Sequence, residues 1–276
     1  MGSVLAVFSA VSQGFMDFET GRLSKSYPVI LATFAEAATS VVVFCILRLF
    51  IKSHAAFDIS SIEDGIAMGL FLALGNFLTF KALSAGPMGL VSAAGGLELV
   101  PPIIFDSSIG KAPSIFQLAG MLLIFVGLFV ASRSPRGGNR FSPVTLAIAI
   151  AGAAVFGCAD IVFSIGDHGD VVDLLIVAQL TKVFVFFFAI VALRIKVSII
   201  SRRSWKLFSI IGVFNGVLWM TFSRAIDMGS IDVATAILST SPVITALLAY
   251  QVLKENLRRI QLIGMLVSIA GTLMLI

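Results

Sequence analysis

The chain carries one pattern twice. Gln117-Leu118-Ala119-Gly120-Met121 returns 144 residues later as Gln261-Leu262-Ile263-Gly264-Met265, each copy inside an apolar run, and Gly127 returns at the same shift as Gly271. At a shift of 143, Gly14 and Asp17 recur as Gly157 and Asp160, and Gly69 and Phe71 as Gly212 and Phe214. Lys81-Ala82 and Gly86 recur likewise as Arg224-Ala225 and Gly229. A duplication of this length requires two halves of one shape, packed against each other so that each covers what the other leaves open.

The medium in which they pack follows from the apolar runs. Apolar residues make up 58% of the chain and charged residues 12%, against roughly 25% charged in soluble domains. The runs are about 20 residues long, enough for a helix to cross the hydrocarbon core of a bilayer. They lack the alternation of a membrane barrel, and open strands cannot satisfy their backbone groups in lipid. The pattern predicts an all-α integral membrane protein with ten transmembrane helices, at 3–23, 28–50, 62–84, 87–106, 113–132, 143–165, 171–193, 205–226, 230–250 and 258–276. The first run has no basic leader and repeats as the sixth, so it reads as a mature helix rather than a signal peptide.

Five spans make a first repeat, residues 1–132, and five a second, residues 142–276, joined by an inter-repeat loop at 133–141. An odd number of spans per repeat turns the second copy upside down, giving two inverted five-helix repeats about a pseudo-two-fold axis in the membrane plane. Ten spans put both termini on one side. Thirteen Lys and Arg fall in or beside the opposite loops, from Arg22 and Lys25 to Lys254, Arg258 and Arg259, against Arg48, Lys52 and Lys111 on the side of the termini. The positive-inside rule makes the basic face cytoplasmic and places the chain in a cell (plasma or inner) membrane, with the termini outside. Short basic loops beside lipid account for the net charge of +4 without a nucleic-acid partner. The partners expected are lipid and a small-molecule substrate. A chain that already contains both repeats can function as a monomer.

The five-plus-five arrangement, the halfway repeat and Gln-Leu-x-Gly-Met in the last span of each half resemble the drug/metabolite transporter superfamily, and most closely the EamA-type exporters. Glu255-Asn256-Leu257-Arg258-Arg259-Ile260-Gln261-Leu262-Ile263-Gly264 leads into the last span as in that family. Ser241-Pro242-Val243 supplies its span-nine proline, and Phe80-Lys81-Ala82-Leu83 is similar to its aromatic-x-Ala-Leu ending of span three. The resemblance covers essentially the whole chain and implies a ten-helix exporter. Two departures stand out: family members usually keep both termini in the cytoplasm, and the first-half counterpart of Glu255 is a Lys-Ala-Pro stretch at Lys111 without the acid.

Ionisable groups inside apolar spans cost roughly 2.5–3.5 kcal/mol or more at mid-bilayer, so each needs a partner or a wet cavity. Glu36 lies in span two, Glu98 in span four and Lys182 in span seven. Glu98 stands in Gly95-Gly96-Leu97-Glu98-Leu99-Val100-Pro101-Pro102, where paired glycines and prolines predict a helix broken near its middle. The matching part of span nine, Ser239-Thr240-Ser241-Pro242, is also a polar break before proline. Interrupted helices at matching places in two repeats point to a substrate site; the alternative is a kink that serves packing alone. Glu98, Lys182, Glu36 and Ser241 are therefore the candidate substrate-binding or coupling residues. Lys182 can serve as counter-charge to Glu98 or Glu36, or hold a substrate carboxylate. Its first-half counterpart is Thr39, and that of Glu36 in the second half is Gln179, so the site is symmetric in outline and not in chemistry.

Asp17 with Lys81, and their copies Asp160 with Arg224, are candidate gates, one ion pair toward each face. Gly65-xxx-Gly69 and Gly212-xxx-Gly216 read as packing seams. Asn76, Asn215 and Trp219 are further candidates to line a cavity. The two cysteines, Cys45 and Cys158, make neither a disulfide framework nor a metal site, and His54 and His168 fall in loops. No catalytic motif, cofactor signature or nucleotide-binding loop is present. The chain reads as a non-enzyme without cofactor. It is expected to be a secondary transporter, an exporter by its resemblance, of a small polar or amphipathic metabolite such as an amino acid or related organic solute. Alternating access around a central cavity, with coupling to protons through Glu98 or Glu36, is the mechanism expected. The alternatives are a cation-conducting, channel-like protein and a membrane scaffold without flux.

Overall fold

The computed structural model describes residues 2–50, 59–86, 88–110, 114–132, 142–165, 171–196, 201–228, 237–238, 240–254 and 259–274. The inter-repeat loop 133–141, His54, His168, Lys111, Gly229, Ser239 and the stretch Glu255 to Arg258 lie outside them. Every described element is a helix. In chain order these are α1 (Gly2–Ser24), α2 (Val29–Phe50), α3 (Ile59–Ala85), α4 (Met88–Ala94), a 3-10 turn (Gly95–Leu99) and α5 (Val100–Ser108). There follow α6 (Ile115–Ser132), α7 (Pro143–Ile165), α8 (Val171–Ala192), α9 (Arg202–Asp227), α10 (Ser241–Leu253) and α11 (Arg259–Met274).

Each expected span carries described helix. Five helices have the length and apolar content to cross a membrane by themselves: Val29–Phe50, Ser61–Ala85, Pro143–Phe163, Val171–Ala192 and Ser204–Ala225. Span four is broken as its glycines and prolines require, into α4, the 3-10 turn and α5. Pro101 and Pro102 fall in the first turn of α5, where a helix has no internal partner for its amides and a proline removes nothing. Pro242 starts α10 in the same way.

The bundle is apolar outside. Leu49, Phe50, Ile115 and Phe116 are between 68% and 84% exposed, positions that acyl chains cover in a bilayer. Phe184, Phe187 and Phe188 also face outward, while Phe186 is buried. Polar groups gather inside, among them Ser9, Ser12, Thr20, Glu36, Ser40, Asp173, Gln179, Lys182 and Asn215.

Because lipid is as apolar as leucine, association of these helices depends on close backbone packing and interior polar contacts rather than on burying grease. The α6–α11 seam shows the first of these. A Cβ on Gly127 would stand 2.5 Å from the Ser268 amide nitrogen and 2.6 Å from the Gly264 carbonyl. One on Gly271 would stand 2.6 Å from the Gly120 carbonyl and 2.8 Å from the Ile124 nitrogen. The two contacts interchange under the shift of 144, with one helix running up as the other runs down. That is the relation two inverted repeats must have. Elsewhere Gly65 and Gly69 of α3 meet α8, and Gly212 and Gly216 of α9 meet α2; the two helix pairs are exchanged copies, with Gly212 the copy of Gly69.

Alanine at Gly127 or Gly271 would press on backbone that cannot rotate away. Each substitution should destabilise by about 1–3 kcal/mol, read as a lower thermal unfolding midpoint in detergent. Gly95→Ala, whose Cβ meets nothing within 4 Å, should leave the midpoint in place.

Candidate functional site

Two groups of ionisable side chains occupy the interior, and they differ in kind. The first is closed and fully paired. Lys182 Nζ of α8 donates to Glu36 Oε2 of α2 at 2.9 Å, with both side chains 2% exposed. Three neutral donors complete the carboxylate. Asn215 Nδ2 of α9 reaches Oε1 at 3.0 Å, Ser40 Oγ reaches Oε1 at 3.3 Å, and Asn76 Nδ2 of α3 reaches Oε2 at 3.3 Å. Asn215 also donates to Ser40 Oγ at 2.9 Å. Four helices, two from each repeat, thus meet on one carboxylate.

Ser40 lies one helical turn from Glu36, so the sequence spacing could have shown it. Asn76 and Asn215 are not copies of each other, and only the fold brings them together. One turn before Lys182, the buried Gln179 keeps its Oε1 without a hydrogen bond. As the copy of Glu36, it places a second acceptor near the axis.

Arg48 and Asp173 form the other ion pair between α2 and α8. The guanidinium contacts Asp173 in two-pronged fashion, through Nε and, at 2.8 Å, through Nη2, with Asp173 buried. Partners 36 with 182 and 48 with 173 show the two helices running antiparallel. These helices are themselves copies, so the seam straddles the pseudo-two-fold. Arg48 belongs to the last turn of α2. Nothing in the sequence repeat marks Asp173.

The second group is a cluster of acids at the broken helix. The Glu98 carboxyl lies beside that of Asp160 from α7, with Asp17 of α1 close by. Unlike Glu36 and Lys182, these three residues are only partly covered.

Their backbones are placed by glycines. Gly157 of α7 approaches the Glu98 carbonyl so closely that a Cβ would stand 2.2 Å from it, and 2.8 Å from Pro101. The copy is exact in position: Gly14 of α1 faces the Ser241 carbonyl at 2.8 Å and Ile244 at 2.6 Å, and 98 and 101 become 241 and 244 under the shift of 143. Ser241 is buried, and Thr245 Oγ1 donates to the Gly14 carbonyl at 3.1 Å. The broken span four and the helix that Ser241 begins therefore each pack on the first helix of the opposite repeat, and only the first carries an acid at this position.

The expected gate pairs are corrected by this arrangement. Asp17 does not pair with Lys81, whose exposed ammonium lies over the Phe77 ring at 5.8 Å from its centroid. Asp160 does not pair with the exposed Arg224; it lies beside Glu98. The aspartates turn toward the interior, while Lys81 near the end of its helix reaches outward, as a long basic side chain can. Lys182 answers to Glu36 and not to Glu98. No group of three metal-ligating side chains occurs among the described residues.

Lys182→Met would leave Glu36 as a buried carboxylate without its cation and should cost about 3–5 kcal/mol. Glu36→Gln with Lys182→Met removes both charges and should recover most of that loss. A double-mutant cycle of unfolding midpoints checks it, and additive losses would show that the pair is not coupled.

The EamA-like transporter family matches residues 1–133 and again residues 144–276. A solved structure described as "Crystal structure of protein" superposes with a TM-score of 0.68 at 16% identity, covering 99% of this chain and 95% of that one. At that identity the likeness carries the fold alone. No curated protein matches the chain in sequence.

Proposed function

Since the chain belongs to the EamA-like transporter family, and so is a multi-pass membrane transporter of the drug/metabolite superfamily, we propose that it is a proton-coupled secondary transporter. Its substrate on this reading is a small polar or amphipathic metabolite, such as an amino acid or related organic solute. The direction proposed, export across the cell membrane, follows the EamA-type exporters that the chain resembles, and a single chain is the working unit.

The observation that carries the reading is the meeting of three acids, Glu98, Asp160 and Asp17, at a broken helix. Interrupted helices at the interface of repeats expose backbone carbonyls and amides to a polar ligand. A carboxyl there that gains or loses one proton changes what that ligand meets. Ser241, at the matching break, offers a hydroxyl in place of the acid. The sealed Glu36–Lys182 cluster serves as the anchor on which α2, α3, α8 and α9 are held while the broken helices respond. Arg48–Asp173 closes the α2–α8 seam at one face, taking the part that had been expected of Asp160 with Arg224.

The test begins with metabolite profiles of cells expressing wild type or Glu98→Gln at matched membrane levels. A solute displaced by wild type alone names the substrate and its direction. In proteoliposomes, its flux should saturate and follow an imposed pH gradient. Glu98→Gln should keep solute exchange and lose the response to pH. A Glu98→Gln variant with the full gradient response would remove the acid from coupling. Current that rises with the ion gradient without saturating would favour a cation-conducting channel instead.

A further inference from the structure

Gly95 is a glycine that neither its backbone nor its neighbours require. Gly14, Gly127, Gly157 and Gly271 each face an atom that leaves no room for a side chain, and Gly110 has a φ of 90°. At Gly95 φ lies outside the left-handed region, and a Cβ would meet nothing within 4 Å among the described residues. A side chain would fit there, and alanine would hold the helical turn better than glycine does. The bare backbone keeps a space open beside the break in span four.

That space opens on a polar face. Residues three apart stack on a 3-10 turn, so Gly95 lies in line with Glu98, and Ser92 in the last turn of α4 continues the line. Gly95 and Glu98 are half-buried, whereas Val91, Ala94 and Leu97 on the neighbouring line are at most 3% exposed, packed in the core with Ile124, Ala153 and Ala249. Ser92 is buried, and its hydroxyl has no hydrogen-bond partner among the described residues. The hydroxyls of Ser9, Ser107 and Ser209 turn back to the carbonyl four residues earlier; that of Ser92 does not. A carboxyl and an unsatisfied hydroxyl on one line are too costly to face lipid. The line faces the interior, where Gly157 of α7 holds the Glu98 backbone. Under the shift of 143 the copies of Gly95 and Glu98 are Leu238 and Ser241. The second repeat carries an isobutyl group where the first carries none, so the recess belongs to the first repeat alone.

We propose that Ser92, Gly95 and Glu98 form the subsite for the polar end of the transported solute, and that Gly95 sets the size it admits. This rests on the transport reading above and names the chemistry of a solute that the reading leaves general. The solute gives an N–H or O–H to the Glu98 carboxyl, accepts the Ser92 hydroxyl with an oxygen, and lies on the Gly95 backbone between them. At ~1.5–2 Å per residue from Ser92 to Glu98, that polar end is about 10 Å long or less.

The first test needs no known substrate. The probe is trimethylammonioethyl methanethiosulfonate, applied to the full chain in detergent with the assayed cysteine as its only one. Gly95→Cys should react at least about tenfold faster than two controls, because a thiol forms its reactive thiolate only in contact with water. The controls are Ala94→Cys, in the core at 0% exposed, and the native Cys45, on the outer surface of α2.

The second test reads transport of the solute that the metabolite profiles identify. Gly95→Ala and Gly95→Leu should raise KM in that order, by about tenfold or more at leucine. Ser92→Ala should raise it too, and the unfolding midpoints should stay in place, which a merely structural role would not allow. Labelling of Gly95→Cys no faster than the controls, or a wild-type KM in Gly95→Leu, overturns the proposal. Failure of proton coupling has a different signature: the KM series persists while flux ignores the pH gradient.

Discussion

A charge in hydrocarbon must find an opposite charge or enough donors to replace its water, and the centre of this protein is arranged around one solution to that demand. Glu36 takes an ammonium from Lys182 and neutral donors from Asn215, Ser40 and Asn76. No single repeat supplies this set, because Glu36, Ser40 and Asn76 come from the first and Lys182 and Asn215 from the second. Neither half can satisfy its own buried charge, so the two are bound by the penalty each would suffer alone. The hydrophobic effect cannot take that part among helices surrounded by lipid.

The rest of the bundle follows from how closely backbones approach around that centre. Where glycine faces glycine across α6 and α11, and where Gly14 and Gly157 meet the carbonyls of the broken helices, the contact leaves no room for a methyl group. These contacts fix the interrupted segments by their backbones and leave their side chains free to differ between the halves. Glu98 and Ser241 occupy one position twice under the same backbone constraint, yet one can carry a proton and the other cannot. Duplication thus set the geometry, and divergence at this position gave the two copies different chemistry.

The two polar clusters divide the work of the interior. One is sealed, with nearly every hydrogen-bonding group satisfied, and suits a joint that persists through a conformational cycle. The other is partly covered and holds acids with no basic residue hydrogen-bonded to them, an arrangement whose balance changes with one proton. The Arg48–Asp173 contact lies on the same α2–α8 seam as the sealed joint, about three turns of α2 from Glu36 at ~3.6 residues per turn. That seam can therefore open at its end while its middle holds.

Much of this was legible in the residues. The repeats gave the two halves, the odd number of spans gave their inversion, and paired glycines and prolines gave the breaks in span four and before Pro242. Glu36, Glu98 and Lys182 were conspicuous because charge is rare in such runs. Their partners were not, since periodicity assigns a residue to a helix face but leaves open which helix that face meets. Asn76 and Asn215 converge from helices 139 residues apart in the chain, and Asp17 and Asp160 were first matched with the basic residues nearest in the repeat pattern. The sequence by itself determined a doubled, inverted, ten-span membrane bundle, because hydrocarbon thickness and backbone satisfaction permit little else. The tertiary structure decided which charges are sealed by partners and which acids gather without them, because in a low-dielectric interior that choice depends on ångström distances between chain-distant side chains.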